Sequence, residues 1–396
     1  MQTSNDYVVG GVRLERPFSI HRLGHVGINV RDIDASLAFY RDVLGLRHTD
    51  VLPGPPGVDG PIGHFTSLGS DHHSFVLVDE RFGTSEEERA RGGMTFNQIS
   101  FQVGSLAEVV TARDFFVERE RKIFKVGRDS PGSNFAVYAF DPDGYRVELF
   151  YGMEQIGWNR LSKPRGMSPG MIEAPALPFR AEMQEIDAWH ADGGADPHGT
   201  FRSEDAMEPR FDVGGVLLPR PFRIVDQGPL LLFVADVDAS TRYYQQMYGF
   251  ELTEETEFRG RRCTFLRVDT HHHTLALVPS ALRAEINGGS RSTVLAYGFR
   301  LGSYAQLRDA VSFLRGHGIA VETDVHRELH PGIEEAAYIT DPDGNRALLY
   351  CAMEQIGWDG QPRPPHTRRE ITADWPQTVP GTSATHQGRT FLGPLG

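Results

Sequence analysis

The sequence predicts an α+β fold in which four β-α-β-β-β modules pair into two barrel-like domains. Three observations carry this expectation. "GGVRLERPFSI" at 10–20 returns as "GGVLLPRPFRI" at 214–224, and "DPDGYRVELFYGMEQIGW" at 141–158 returns as "DPDGNRALLYCAMEQIGW" at 341–358. Between these anchors "DHHSFVLV" (71–78) matches "HHHTLALV" (271–278), and "FQVGS" (101–105) matches "FRLGS" (299–303), with the small offsets falling between elements as loop changes should. Within each half, one order of strand, helix and three strands occurs twice.

The elements follow in that order. The alternating strand "HVGINV" leads into "RDIDASLAFYRDVLGL", where Ile33, Leu37, Tyr40 and Leu44 share a helical face and Asp32 or Asp34 can cap the start. Strands are expected around 46–52, 62–68 and 73–78. The second module repeats the pattern: strand "FNQISFQV", a helix from Leu106 to about Ile123, then strands ending in "NFAVYAF" and "RVELFY" joined by the turn DPDG. Residues 159–213, rich in Pro, Gly and polar groups, read as a linker with a short helix near 180–191. The expected domains are 1–158 and 214–360, with a tail over 361–396 that wraps the surface or moves freely. Glu154 and Trp158, repeated as Glu354 and Trp358, are expected to fix the segment leaving each half.

Bulk properties narrow the function. The chain has 396 residues, enough for two ordinary cores, and only Cys263 and Cys351 as thiols, which excludes a disulfide framework or cysteine-rich zinc site. A net charge of −13 argues against nucleic-acid or anionic-membrane binding, which needs clustered Lys and Arg. There is neither a signal-peptide pattern nor an apolar run long enough to span a bilayer, so a cytoplasmic protein with a small-molecule ligand is expected. Edge strands and duplication leave room for a homo-oligomer. No phosphate-binding glycine loop, nucleophile elbow or dinucleotide fingerprint is present.

Three strand residues break apolar alternation with lone-pair donors: His25 on the first strand, Gln98 at the matching place in the second module, and Glu148 on the last strand. Imidazole, amide oxygen and carboxylate together could bind a divalent metal facially and leave positions open for substrate. The repeat supplies an internal control. His25, Gln98 and Glu148 correspond to Pro229, Ala296 and Leu348, so the second half lacks all three, and independent structural roles would rarely vanish as a set. The triple histidine 271–273 has no such carboxylate partner and is not read as a metal site.

With these residues in view, "GHVGINV", "NQISFQV" and "RVELFY" resemble the metal-binding strands of the vicinal oxygen chelate superfamily, within it the two-domain type I extradiol ring-cleaving dioxygenases. The likeness covers 20–153 and, more faintly, 223–353. It implies a metal on His25, Gln98 and Glu148, with Fe(II) first and Mn, Zn, Ni or Co as alternatives. It also implies His73, in "DHHSFVL", as acid–base catalyst and Tyr138, ten residues before Glu148, as a substrate hydrogen-bond donor. Asp129, Asn134 and His72 become candidate substrate-binding residues, with Arg128 nearby, although strand alternation turns His72 away from His73. Several positions depart from the family pattern: Gln98 stands where a second histidine is usual, Gly27 where some members have asparagine, and Asp129 where a pocket histidine occurs; the metal set lies in the N-terminal rather than the C-terminal half. The implied reaction is extradiol cleavage of a catechol-like compound with O2. Two alternatives stay open: a non-redox glyoxalase-like isomerase or lyase, and a non-enzymatic small-molecule binding protein.

Overall fold

The computed structural model describes residues 7–90, 93–129, 131–156, 161–164, 182–194, 201, 207–288, 290–369 and 375–379. The chain divides into two compact units: the first comprises 1–29, 47–91 and 97–204, the second 30–46, 92–96 and 205–396. Trp158 lies outside the described residues.

The first half carries a hairpin, β1 (Tyr7–Val9) and β2 (Val12–Leu14). It is followed by β3 (Ile20–Val30), β4 (Arg47–Pro53), β5 (Pro61–Ser67), β6 (Phe75–Asp79), β7 (Phe96–Val103), β8 (Ile123–Arg128), β9 (Phe135–Phe140) and β10 (Arg146–Tyr151). The second half repeats this as hairpin β11 (Phe211–Val213) and β12 (Val216–Leu218), then β13 (Ile224–Val234), β14 (Glu251–Phe258), β15 (Arg261–Arg267), β16 (Leu275–Pro279), β17 (Val294–Leu301), β18 (Val321–Glu322), β19 (Ala336–Thr340) and β20 (Arg346–Tyr350). The α+β expectation holds. Each half forms one eight-stranded mixed sheet, in order β4-β5-β6-β3-β7-β10-β9-β8 and β14-β15-β16-β13-β17-β20-β19-β18. Each sheet is open rather than a closed barrel, because β4 and β8, and β14 and β18, end it unpaired within the sheet.

This order explains where chemistry can gather. The first strand of each module lies at the centre, the next lies at the edge and the following two step back inward, so β3 and β7 meet in the middle, flanked by β6 and β10. β10 runs parallel to β7, with Glu148 level with Ser100, and antiparallel to β9, with Glu148 opposite Tyr138. Side chains level with one another across a sheet share a face.

Local detail departs from the expected boundaries in two places. The first helix starts at Ile33, with Asp32 rather than Asp34 capping it by accepting Ala35 N–H at 2.9 Å, but after Leu37 it widens into a π-helical stretch over Ala38–Val43. That widening buries Phe39 beside Tyr40. In the second unit the Tyr40 hydroxyl then meets Tyr297 and donates to Asp341 Oδ2 at 2.8 Å. The helix expected to reach Ile123 is Leu106–Glu118, capped by Ser105, and Ile123 instead opens β8. Glu120 adopts φ +56°, a left-handed conformation that ends a helix.

The second half has a continuous apolar core in which Leu231, Phe265, Ala296, Tyr338, Leu348 and Met353 pack together. Two of the residues matching the candidate metal ligands, Ala296 and Leu348, belong to this cluster. In the first half the matching residues form two smaller clusters, Ala136, Tyr138, Phe150 and Met153, and Phe65, Val76 and Val78. Among the described residues no helix is long and apolar enough to cross a membrane.

Candidate metal centre

β3 and β10 bring His25 and Glu148 together in the sheet centre, both fully buried. Nε2 of His25 lies 2.8 Å from Oε2 of Glu148, and Nδ1 of the buried ring has no hydrogen-bond partner. A buried imidazole and carboxylate this close can each turn a lone pair toward one cation. Gln98 of β7 joins them, with Nε2 at 3.3 Å from the same Oε2. Gly27 makes room for it, since a Cβ there would come within 3.2 Å of Gln98 Cγ. One imidazole, one carboxylate and one amide therefore converge, a donor set that fits a divalent cation with open positions. As placed, the amide turns its nitrogen toward Glu148; offering its oxygen requires a half-turn of the terminal amide.

Glu148 is itself secured by neighbours. The Ser100 hydroxyl donates to Oε2, and Asn134 Nδ2 donates to Oε1 at 2.8 Å. Burial pushes the pKa of Glu148 up, but the His25 imidazole and the Ser100 hydroxyl outweigh it and hold the carboxyl below its ordinary value. The anionic form needed for ligation is thus favoured. Ser100 escaped sequence reading, although it stands two residues after Gln98 on one strand and therefore on the same face.

His73 packs edge-on against His25, ring centroids 4.4 Å apart. Burial, then the neighbouring His25, His72 and Lys125, lower its pKa well below 6.5, so the ring is neutral near pH 7 and able to accept a proton. Gly132, at φ +103°, lets the 129–134 loop approach this ring, where a Cβ would lie 2.9 Å from His73 Cε1. The expectation that His72 faces away from His73 is corrected. Both histidines precede β6, in a bend where strand alternation does not apply, and His72 Nδ1 lies 2.9 Å from His73 Nδ1 while its Nε2 faces Asp50 Oδ2 at 3.2 Å. Both nitrogens of this fully buried ring are engaged within the protein.

Tyr138, opposite Glu148, donates to Asp129 Oδ2 at 2.6 Å, and Lys125 pairs with the other Asp129 oxygen and sits 4.5 Å over the Tyr138 ring. Burial, then Asp129 and Glu148, raise the Tyr138 pKa well above 10, so it remains a phenol. Arg128 turns instead to Glu185 of helix Glu182–Ala191, Nη1 to Oε1 at 2.5 Å. Glu154 anchors the segment leaving β10: its carboxylate accepts Lys163 N–H at 2.6 Å, its N–H donates to Gly132 O and its carbonyl accepts His72 N–H. Glu354 does the same for Arg363, Gly332 and His272. Trp358 takes no part in this anchoring, being 99% exposed.

Residues 22–149 and 227–349, together more than half the chain, match the Glyoxalase/Bleomycin resistance protein/Dioxygenase superfamily. The chain belongs to this superfamily. Its members here include relatives of different chemistry. The chain is 26% identical over 135 residues to 3-methylcatechol 2,3-dioxygenase of Pseudomonas putida, covering 34% of this chain and 43% of that enzyme. It is 28% identical over 131 residues to a probable lactoylglutathione lyase of Synechocystis, covering 32% of this chain and 91% of that protein. The aligned segment thus spans less than half of the dioxygenase. Among solved structures, a catechol 2,3-dioxygenase aligns with TM-score 0.55 at 17% identity over 90% of this chain and 94% of its own. An Mn(II)-bound glyoxalase from Novosphingobium aromaticivorans aligns with TM-score 0.55 at 16% identity, over 86% and 85%. These structural likenesses speak for the superfamily fold across both halves.

Proposed function

We propose that the protein is an extradiol-type dioxygenase acting on a catechol-like small molecule and O2, with Fe(II) held by His25, Gln98 and Glu148. The observation that carries this reading is the buried approach of His25 Nε2 to Glu148 Oε2 at 2.8 Å, with the Gln98 amide 3.3 Å from the same oxygen. Similarity to 3-methylcatechol 2,3-dioxygenase supports the choice of reaction. Iron in such a set supplies Lewis acidity toward the substrate oxygens and access to O2, and in ring cleavage both oxygen atoms end in the product.

The chain's own groups do the rest. His73, neutral and buried against His25, takes a proton from a substrate hydroxyl and returns it later. Tyr138 is a phenol O–H donor for developing negative charge once it turns from Asp129. Asn134 offers Oδ1, buried and without a hydrogen-bond partner, to a substrate hydroxyl while its amide nitrogen steadies Glu148. His72 and Asp129 stand behind these groups, holding His73 and Tyr138. The test is oxygen uptake by iron-reconstituted protein with a panel of catechols. One O2 consumed per catechol, with a product heavier by two oxygen atoms, is the expected result; catechol turnover that proceeds equally without oxygen overturns it.

A second reading is favoured by one feature, the neutral amide donor Gln98 together with similarity to a probable lactoylglutathione lyase. It is a non-redox isomerase or lyase using Mn, Zn, Ni or Co, and it predicts turnover under nitrogen.

A further inference from the structure

We propose that Asp50 and His72 form a positioning pair that fixes the tautomer of His73, placing the proton on His73 Nδ1 and leaving Nε2 as its proton-accepting atom. The inference rests on the reading of His73 as the acid–base group. An ionised carboxylate only accepts hydrogen bonds, so His72 Nε2, facing Asp50 Oδ2 at 3.2 Å, must carry a proton. Neutral imidazole has one N–H, so His72 Nδ1 is then a bare lone pair. It faces His73 Nδ1 at 2.9 Å, where two nitrogens can share one proton only if His73 supplies it. The Nε2 of His73 is left with its lone pair. A metal-site histidine or an acid–base histidine is commonly set by such a bond at its other nitrogen.

The pair is built firmly. His72 is fully buried, its N–H donates to Glu154 O at 2.8 Å, and its carbonyl accepts the Thr49 hydroxyl. Asp50 stands on β4, one residue after that threonine. A flip of the His72 ring, which would put ring carbons where its two nitrogens now lie, would therefore break the bonds to Asp50 and His73 together.

The second half shows which part of this is architecture and which is specific. There Glu254 of β14 faces His272 Nε2 at 2.8 Å, and His272 Nδ1 lies 3.0 Å from His273 Nδ1. A carboxylate behind two histidines is thus a feature of the repeat. In the second half, however, Arg368 also reaches Glu254, and its Nη2 lies 3.4 Å from His272 Nε2. A guanidinium donor facing that nitrogen competes with an N–H there, so the bias on His273 is weaker. Glu254 is thus shared between His272 and Arg368.

The test is long-range 1H–15N correlation on the full-length, metal-free protein labelled with 15N-histidine, with His73 assigned by comparison with His73→Gln. The native protein is expected to show His73 protonated at Nδ1 and bare at Nε2. In Asp50→Asn the amide can donate to His72 Nε2, which reverses both bonds, so the two His73 nitrogen resonances should exchange character while those of His273 stay in place. A native His73 protonated at Nε2, or an unchanged His73 in folded Asp50→Asn, overturns the proposal. If Asp50→Asn does not fold, His72→Gln takes its place: it removes the fixed acceptor, and a His73 tautomer that stays as in the native protein overturns the pair. The readout needs neither metal nor oxygen, so absence of oxygen uptake together with the stated tautomer would count against the dioxygenase reading alone.

Discussion

Glu148 is surrounded by donors that can be removed one at a time. Ser100→Ala deletes the hydroxyl bonded to Oε2, and loss of such a support to a ligating carboxylate typically weakens metal binding by about 10–100-fold, to be read by competition with a chelator. Gln98→His replaces a neutral amide by a stronger imidazole donor, and tighter metal binding is expected; equal or weaker binding would count against Gln98 as a ligand. His25 and Glu148 were legible in the sequence because each breaks an apolar strand and because Pro229 and Leu348 stand in their places in the repeat. Ser100 was not legible, since a serine in a strand carries no chemical signal until Glu148 is known to lie level with it. Nor was the pairing of His72 with Asp50, which depends on a bend that strand periodicity does not anticipate.

At the scale of elements, strand and helix order could be read because hydrophobic period and repeat agree, whereas ends could not. The helix from Leu106 stops at Glu118 because the backbone turns left-handed at Glu120, a conformation that glutamate does not advertise. The C-terminal segment was expected to wrap or move, and its described part is held: Arg368 is buried between Glu254 and Glu354, with Nε 3.1 Å from Glu354 Oε2. Arg368→Ala leaves both carboxylates without that cation, and breaking such a buried pair costs roughly 3–5 kcal/mol, to be measured as a lower urea midpoint. The same cluster sets a pH dependence. Burial raises the pKa of Glu254, but His272 and Arg368 more than offset this and hold it below the ordinary 4.5. A depressed carboxylate adds stability that is fully present above 4.5 and is lost as the pH falls through the folded value, so acid unfolding should begin below 4.5 and be shallower in Glu254→Gln.

Across the whole molecule, one duplicated sheet carries the donor set and the other has filled the same place with an apolar core. This difference predicts one metal per chain and not two. It also predicts that Leu348→Glu, which puts an unpaired carboxylate among Leu231, Ala296 and Tyr338, destabilises the protein by several kcal/mol without creating a second site. Denaturant titration with metal analysis checks both. The order of four β-α-β-β-β modules was readable from the repeat and the hydrophobic pattern, while the open form of each sheet was not, because closure depends on pairing that alternation does not encode. The most direct test of the central claim is the metal content of anaerobically purified protein and of Glu148→Ala, by elemental mass spectrometry. The account predicts about one iron per chain in the native protein and its loss in the variant. Metal content that is unchanged by Glu148→Ala, or no bound metal even after reconstitution with iron, would contradict it.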